Sequence, residues 1–183
     1  MNKDKHFKSG FVAVVGRPNV GKSTLINALI GDKIVIVSDK AQTTRNRIVC
    51  VYMDEKKQIV FMDTPGIHKP KHKLGEFMVK AAVDSLKEVE AVLFLVAGNE
   101  KRGPGDNFII EQLKNVDVPV FLVINKIDTL SKEQILETIV EYQNLYPFEG
   151  IIPISALEKD NIHEVLDVLE KYYRKVRSTS RKI

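Results

Sequence analysis

The chain has 183 residues, of which 44% are hydrophobic and 28% are charged, a balance typical of a soluble globular protein and not of a disordered one. Its single cysteine, Cys50, excludes an intrachain disulfide, and its longest apolar run, residues 91–97, is too short to cross a bilayer. The net charge of +4 is uneven: six basic residues and no acid follow Glu170, which leaves −2 for residues 1–170. These features predict a cytoplasmic protein whose high isoelectric point comes from its basic end.

Apolar runs of strand length alternate with helical patterns along the chain. The predicted strands are 11–15, 47–53, 58–62, 91–97, 119–124 and 150–154. The predicted helices are 23–30, 74–88, one with Asp106 as its N-cap, one with a capping box at Ser131 and Gln134, and one with a capping box at Asn161 and Glu164. The second and third strands are close enough to form a hairpin.

This alternation predicts an α/β fold. We expect a mostly parallel six-stranded sheet with one antiparallel strand, and helices on both faces. No repeat or low-complexity stretch interrupts the pattern. We therefore expect one domain over residues 7–170, followed by a basic helix end or tail over 171–183.

A glycine-rich loop lies between the first predicted strand and the first predicted helix. Its pattern, a glycine, four residues and then Gly-Lys-Ser, suits phosphate binding because glycines let backbone N–H groups form a concave cradle at a helix N-terminus. Lys22 is expected to reach the β- and γ-phosphates, and the Ser23 hydroxyl is expected to bind Mg²⁺. The predicted nucleotide contacts here are Gly16, Arg17, Pro18, Asn19, Val20, Gly21, Lys22, Ser23 and Thr24. This loop alone separates neither ATP from GTP nor a hydrolase from a kinase.

Two further segments are expected beside the terminal phosphate. Asp63 comes directly after the predicted strand 58–62, where its carboxylate can hold Mg²⁺ through water. The backbone N–H of Gly66 can approach the γ-phosphate. In the aperiodic segment 42–46, a threonine hydroxyl can close on Mg²⁺ and so act as a switch. Thr44 is the predicted ligand and Thr43 the alternative; a polar surface loop without a metal role also stays open.

Asn125, Lys126 and Asp128 form an Asn-Lys-x-Asp motif directly after the strand at 119–124. One carboxylate can accept hydrogen bonds from both N1–H and N2–H₂ of guanine, and adenine offers no such donor pair. The motif therefore predicts a guanine site. The segment Ser155, Ala156 and Leu157 follows the last strand, and we expect the Ala156 N–H to donate to guanine O6.

These motifs, in this order, resemble the translation-factor-related GTPases and, among them, the Era-like family. The resemblance covers about residues 7–170, and the stretch 68–74 distinguishes the chain from relatives such as Der and MnmE. It implies a P-loop NTPase of the Ras-like G-domain type that hydrolyses GTP to GDP with slow turnover. Ile67 stands where other GTPases place a water-positioning Gln, and some similar members use K⁺ held partly by the residue that is Asn19 here.

The resemblance also implies partners. Era-like proteins serve small ribosomal subunit assembly and continue into a KH domain that binds its RNA, whereas residues 171–183 do not resemble the usual linker to that domain. We expect a monomeric G domain without the KH domain, and contact with the membrane periphery stays open. Lys69, Lys71 and Lys73 are candidate RNA or ribosome contacts, or a solvated loop. A binding module with negligible intrinsic hydrolysis is the alternative function; a nucleotide kinase is disfavoured by the guanine motifs.

Overall fold

A computed structural model describes residues 8–30, 47–53, 57–63, 71 and 73–180 of the chain. The strands are β1 (Lys8–Val15), β2 (Arg47–Met53), β3 (Lys57–Asp63), β4 (Ala91–Ala97), β5 (Val120–Asn125) and β6 (Gly150–Pro153). The helices are α1 (Lys22–Ile30), α2 (Lys73–Ser85), α3 (Pro104–Leu113), α4 (Lys132–Gln143) and α5 (Ile162–Ser180). Within the described ranges, no helix combines the length and the apolar character that a bilayer crossing requires.

The strands form one sheet in the order β2-β3-β1-β4-β5-β6. Strand β2 runs antiparallel to β3, and the other neighbouring pairs are parallel. The predicted six-stranded sheet with one antiparallel strand is therefore confirmed. Because parallel strands share a direction, the carboxyl ends of β1, β3, β4, β5 and β6 meet along one edge. Among the described residues, the phosphate loop and the motifs that follow β5 and β6 lie at that edge.

The central strands are buried on both faces, which explains why they appear in the sequence as unbroken apolar runs. In β1, Val12 and Val14 point into one core layer while Ala13 and Val15 point into the other. Helices α1 and α5 cover the first layer, and helices α2, α3 and α4 cover the second. All seven residues of β4 are buried, so this strand is the centre of both layers.

The structure tests three predicted helix starts, of which the start of α4 is confirmed and that of α3 is not. Ser131 caps α4 as predicted, because its hydroxyl accepts from Gln134 N at 3.2 Å and Gln134 Oε1 accepts from Ser131 N at 2.9 Å. Asp106 is not an N-cap: α3 begins at Pro104, so Asp106 lies at the third helical position, and its carboxylate accepts from Gly103 N.

The predicted capping box at Asn161 and Glu164 is also wrong. Asn161 has a φ of 57°, outside the extended region typical of an N-cap. Its side-chain amide donates to Pro153 O at 2.8 Å and ties the start of α5 to the end of β6.

Candidate functional site

The phosphate loop leaves β1 at Gly16 and enters α1 at Lys22. A Cβ on Gly16 would lie 2.5 Å from the backbone oxygen of Leu95 in β4, so only glycine lets the loop pass this strand. Lys22 Nζ donates to Gly16 O at 2.7 Å, and the side chain thus curls back across the loop. Leu25 N donates to Gly21 O at 2.8 Å as the helix begins. The loop therefore brings an ammonium group and a helix N-terminus together, and both attract anions.

The second glycine of the loop and the Asn-Lys-x-Asp motif fit against each other. Gly21 has a φ of 102°, and a Cβ there would lie 2.2 Å from Asn125 Nδ2. That same nitrogen donates to Val20 O at 2.9 Å. Asn125 is only 3% exposed, so this hydrogen bond is shielded from water. The end of β5 and the phosphate loop thus form one unit.

The Asn-Lys-x-Asp motif is also joined to the segment after β6. Asn125 Oδ1 accepts from Ala156 N at 2.9 Å, so one amide side chain links all three segments. Ser155 is fully buried, and its hydroxyl donates to Asp128 Oδ1 at 2.7 Å while accepting from Glu158 N at 3.1 Å. These bonds hold the Asp128 carboxylate at the same sheet edge as the phosphate loop.

The Ala156 N–H, which we expect to donate to guanine O6, donates to Asn125 Oδ1 in this structure. Its contact with a base stays a prediction. A base in the site would have to share or replace this bond. Leu157 is 73% exposed, so its side chain packs little against the protein.

Lys126 connects the base motif to the outer part of the phosphate loop. It adopts a left-handed conformation with a φ of 67°, and its Nζ donates to Asn19 O at 2.9 Å. Asn19 is also left-handed, with a φ of 65°, and both Pro18 and Asn19 are exposed. The bond therefore ties an exposed stretch of loop to the end of β5.

The side chain of Arg17 points toward α3. Its Nε donates to Asp106 Oδ1 at 2.8 Å, and another guanidinium nitrogen donates to Glu100 Oε2 at 3.3 Å. Asp106 is fully buried. The pKa of neighbouring Tyr142 is raised by the burial of the tyrosine itself and by the negative charge of the Asp106 carboxylate. Sequence reasoning missed Glu100 and gave Asp106 a different role. A buried acid was detectable only from the contrast between its charge and the apolar helix face that carries it.

The predicted metal-binding residues are placed in part. Ser23 and Thr24 lie exposed in the first turn of α1, and Asp63 is the last residue of β3, opposite Val14 of β1. A hydroxyl at the start of α1 and a carboxylate-bearing residue at the end of the neighbouring strand β3 are oxygen donors of the kind that Mg²⁺ prefers, so the residue types at this edge fit the ion. Thr43, Thr44, Gly66, Ile67 and Lys69 lie outside the described residues.

The described part of the chain has no group of three or more His, Cys, Asp or Glu side chains suited to a metal ion. Lys71 is exposed ahead of α2, and Lys73 is exposed at its first residue.

Comparison with known proteins places the chain in a family. Residues 11–126 match the model of the family described as 50S ribosome-binding GTPases. The chain is 61% identical over 160 residues to GTPase Era of Alkaliphilus metalliredigens (strain QYMF), covering 87% of this chain and 54% of that protein. It thus spans little more than half the length of the relatives that it matches.

Two solved structures are similar. One is Era in complex with MgGDPNP and nucleotides 1506–1542 of 16S ribosomal RNA, with a TM-score of 0.75 and 43% identity over 91% of this chain and 57% of that one. The other is a variant of Aquifex aeolicus Era bound to GDP.AlF4⁻, with a TM-score of 0.73 and 43% identity over 90% of this chain and 57% of that one. The chain therefore belongs to the 50S ribosome-binding GTPase family, and its fold is that of an Era-type, Ras-like G domain.

Proposed function

We propose that the chain binds GTP and hydrolyses it to GDP with the help of Mg²⁺. The observation that supports this most directly is Asn125, whose side chain joins the phosphate loop at Val20 to the segment after β6 at Ala156. A base-recognition loop and a phosphate cradle are thereby held at one sheet edge. The similar Era structures with MgGDPNP and with GDP.AlF4⁻ support the same ligands.

Asp128 is the proposed guanine-reading residue. Its Oδ1 already accepts from Ser155 Oγ at 2.7 Å, which orients the carboxylate before a base arrives. The remaining lone pairs can accept from N1–H and N2–H₂ of guanine, whereas adenine would leave this acceptor unpaired at a cost of about 1–3 kcal/mol. Lys126 would lie along the base, since its ammonium group is held by Asn19 O.

The phosphates would bind in the loop from Gly16 to Ser23. Backbone N–H groups and the α1 N-terminus attract the negative charge, and Lys22 contributes a positive charge. Ser23, Asp63 and Thr44, or Thr43 in its place, are the proposed Mg²⁺ ligands, and Gly66 would donate its N–H to the γ-phosphate. When bound, Mg²⁺ would neutralise charge on the β- and γ-phosphates.

Without a water-positioning Gln, hydrolysis depends more strongly on stabilisation of the charge that develops on the phosphates. Ile67 cannot orient water through its side chain, so we propose that K⁺, held partly by Asn19, supplies the charge. An inserted positive charge can raise phosphoryl-transfer rates by roughly 10³–10⁵. Single-turnover GTP hydrolysis in matched KCl and NaCl would test this, because K⁺ should accelerate it and equal rates would contradict the K⁺ hypothesis.

The proposed setting is small ribosomal subunit assembly in the cytoplasm. The Era structure with a 16S ribosomal RNA fragment favours the small subunit, although the family description refers to 50S. Exposed Lys71 and Lys73 are the proposed contact to RNA, next to the segment carrying Gly66. We propose a monomeric G domain over residues 7–170, followed by a basic helix end or tail over 171–183.

The substitution Asp128→Asn tests the base assignment. An amide presents one acceptor and one donor, so affinity for GTP should fall while affinity for xanthosine triphosphate should rise. Competition titrations with GTP, ATP and xanthosine triphosphate would measure both changes. An Asp128→Asn variant that keeps the wild-type preference for GTP would refute the proposed guanine site.

A further inference from the structure

One buried carboxylate connects the first turn of α3 to the phosphate loop. Asp106 is fully buried and uses both oxygens: Oδ1 accepts from Arg17 Nε at 2.8 Å, and Oδ2 accepts from Gly103 N at 2.9 Å. The second bond fixes the carboxylate to the helix start. The bond from Arg17 to Asp106 therefore links the position of the phosphate loop to that of α3. A charge-assisted hydrogen bond with this shielding is stronger and more directional than an ordinary surface contact.

The aliphatic part of the Arg17 side chain is packed as well as its guanidinium group. A Cβ on Gly105 would lie 2.8 Å from Arg17 Cδ and 3.1 Å from Cγ, so the aliphatic part of the arginine lies directly on the backbone of α3. The side chain is only 25% exposed. Gly105 leaves room for this packing, and Arg17 can reach Asp106 along a fixed path.

We define the outer arm of the phosphate loop as residues 17–19. At one end, Arg17 bonds Asp106; at the other, Asn19 O accepts from Lys126 Nζ at 2.9 Å, with Asn19 in a left-handed conformation. Pro18 between them has a restricted φ. Two anchors and one rigid residue leave the arm little freedom.

We propose that Asp106 is a positioning residue for nucleotide phosphates, holding the outer arm through Arg17 in the geometry that receives them. This inference rests on the proposed GTP-binding function. Asp106 touches no nucleotide; it acts through Arg17 and the backbone of the arm. The start of α3 is then part of the nucleotide site, although α3 follows β4 and the phosphate loop follows the neighbouring strand β1.

Glu100 is a weaker anchor for the same arginine. Its carboxylate is 3.3 Å from Arg17 and 3.6 Å from Lys126, and its side chain is 45% exposed. Solvent and salt screen such a pair. The inference therefore concerns Asp106, whose bond to Arg17 is shorter and shielded.

The test compares GDP with GMP in the full chain. If Asp106 positions the arm around the β-phosphate, Asp106→Asn should weaken GDP binding by about tenfold and GMP binding much less, so that the GMP-to-GDP ratio of dissociation constants falls. A variant that merely lost stability would have fewer folded molecules, which raises both apparent constants equally and leaves the ratio unchanged. Isothermal titration for GDP and competition for GMP would give the two constants.

Arg102→Gln is the matched control. Arg102 lies directly before α3, pairs with Glu141 at 2.7 Å and donates to Asn107 Oδ1, so the substitution removes contacts at the start of α3 that do not involve the phosphate loop. Its GMP-to-GDP ratio should equal that of the wild type. A ratio that falls as far in Arg102→Gln as in Asp106→Asn would assign the effect to general loosening and overturn the inference.

Arg17→Gln provides the second measurement, since Arg17 is partly exposed and this variant should fold even if Asp106→Asn does not. It should lower the ratio as Asp106→Asn does, and the double variant should lower it no further, because both remove one interaction. An unchanged ratio in Arg17→Gln, or additive effects, would refute the inference. Wild-type protein that failed to prefer GDP over ADP would instead refute the proposed function itself.

Discussion

The two halves of the candidate nucleotide site are held together by different kinds of interaction. On the base side, buried Asn125 and Ser155 make short hydrogen bonds to Val20, Ala156 and Asp128. On the phosphate side, Pro18 and Asn19 of the outer arm are exposed, and charged side chains hold its two ends: buried Asp106 bonds Arg17, and Lys126 bonds Asn19 O. The base side is therefore built on two buried, neutral side chains that hold the exposed carboxylate of Asp128, whereas the outer arm is anchored by charge.

This difference indicates how each half should respond to change. A buried network resists salt, but removing one member leaves a donor or acceptor unpaired. An exposed charged anchor such as Glu100 weakens with ionic strength and its loss is tolerated, whereas the buried Asp106 bond is screened much less. Asn125 is where the halves meet, because its amide nitrogen contacts the phosphate loop and its oxygen contacts the base side. Changes close to Asn125 should therefore have the largest effects.

Gly21→Ala should break the junction between the halves. The new Cβ would lie 2.2 Å from Asn125 Nδ2, and the φ of 102° is strained for alanine, so the loop must move away from β5. We expect GDP affinity to fall by about 100-fold or more, because positioning errors at phosphate sites are costly. Isothermal titration with GDP would measure it.

Gly103→Ala is the control for this glycine. A Cβ there would meet only Arg17 at 3.7 Å, an ordinary contact, and its φ of −116° suits any residue. Its GDP affinity should stay near the wild-type value. Equal affinity in Gly21→Ala and the wild type would mean that the loop and Asn125 are not coupled.

Ser155→Ala should weaken the base side alone. The substitution removes the hydroxyl that donates to Asp128 and accepts from Glu158 N, so the guanine-reading carboxylate loses its orientation. A loss of about 1 kcal/mol corresponds to roughly fivefold weaker binding of both GDP and GMP. Ser131→Ala, which removes the α4 cap, is the control: it should lower the melting temperature without changing nucleotide affinity. A Ser155→Ala variant that weakens GDP but spares GMP would contradict the assignment of Ser155 to the base side.

The sheet and the motif positions were predictable from the sequence because they depend on local patterns. The strands at 47–53 and 91–97 were predicted at their observed bounds, and in 91–97 continuous burial explains the unbroken apolar run. The phosphate loop and Asn125 follow such runs directly, and parallel strands bring their ends together. Fold and motif placement thus required only periodicity and spacing.

Contacts between distant segments were not predictable in the same way. Asp106 is an acceptable N-cap by local rules, but it acts at the third helical position because Pro104 starts the helix earlier. Its pairing with Arg17 joins residues 89 positions apart, and no local pattern encodes such a contact. Asn161 likewise bonds Pro153 because the turn after β6 brings them together. These outcomes depend on tertiary packing, which overrides local preference.

Glu100→Gln should have the smallest effect on GDP affinity, and it shows how much an exposed charge contributes to holding the outer arm. Its pairs with Arg17 and Lys126 are longer and more exposed than the Asp106 bond, so their removal should cost under about 0.5 kcal/mol, or roughly twofold in GDP affinity. At about 0.5 M salt the difference from the wild type should vanish, because screening already removes these pairs. Glu111→Gln, which breaks an exposed pair with Lys114 on the outside of α3, should match the wild type at every salt concentration. A Glu100→Gln effect that exceeds tenfold, or that persists at high salt, would mean that the exposed carboxylate rather than the buried one is the main anchor of the outer arm.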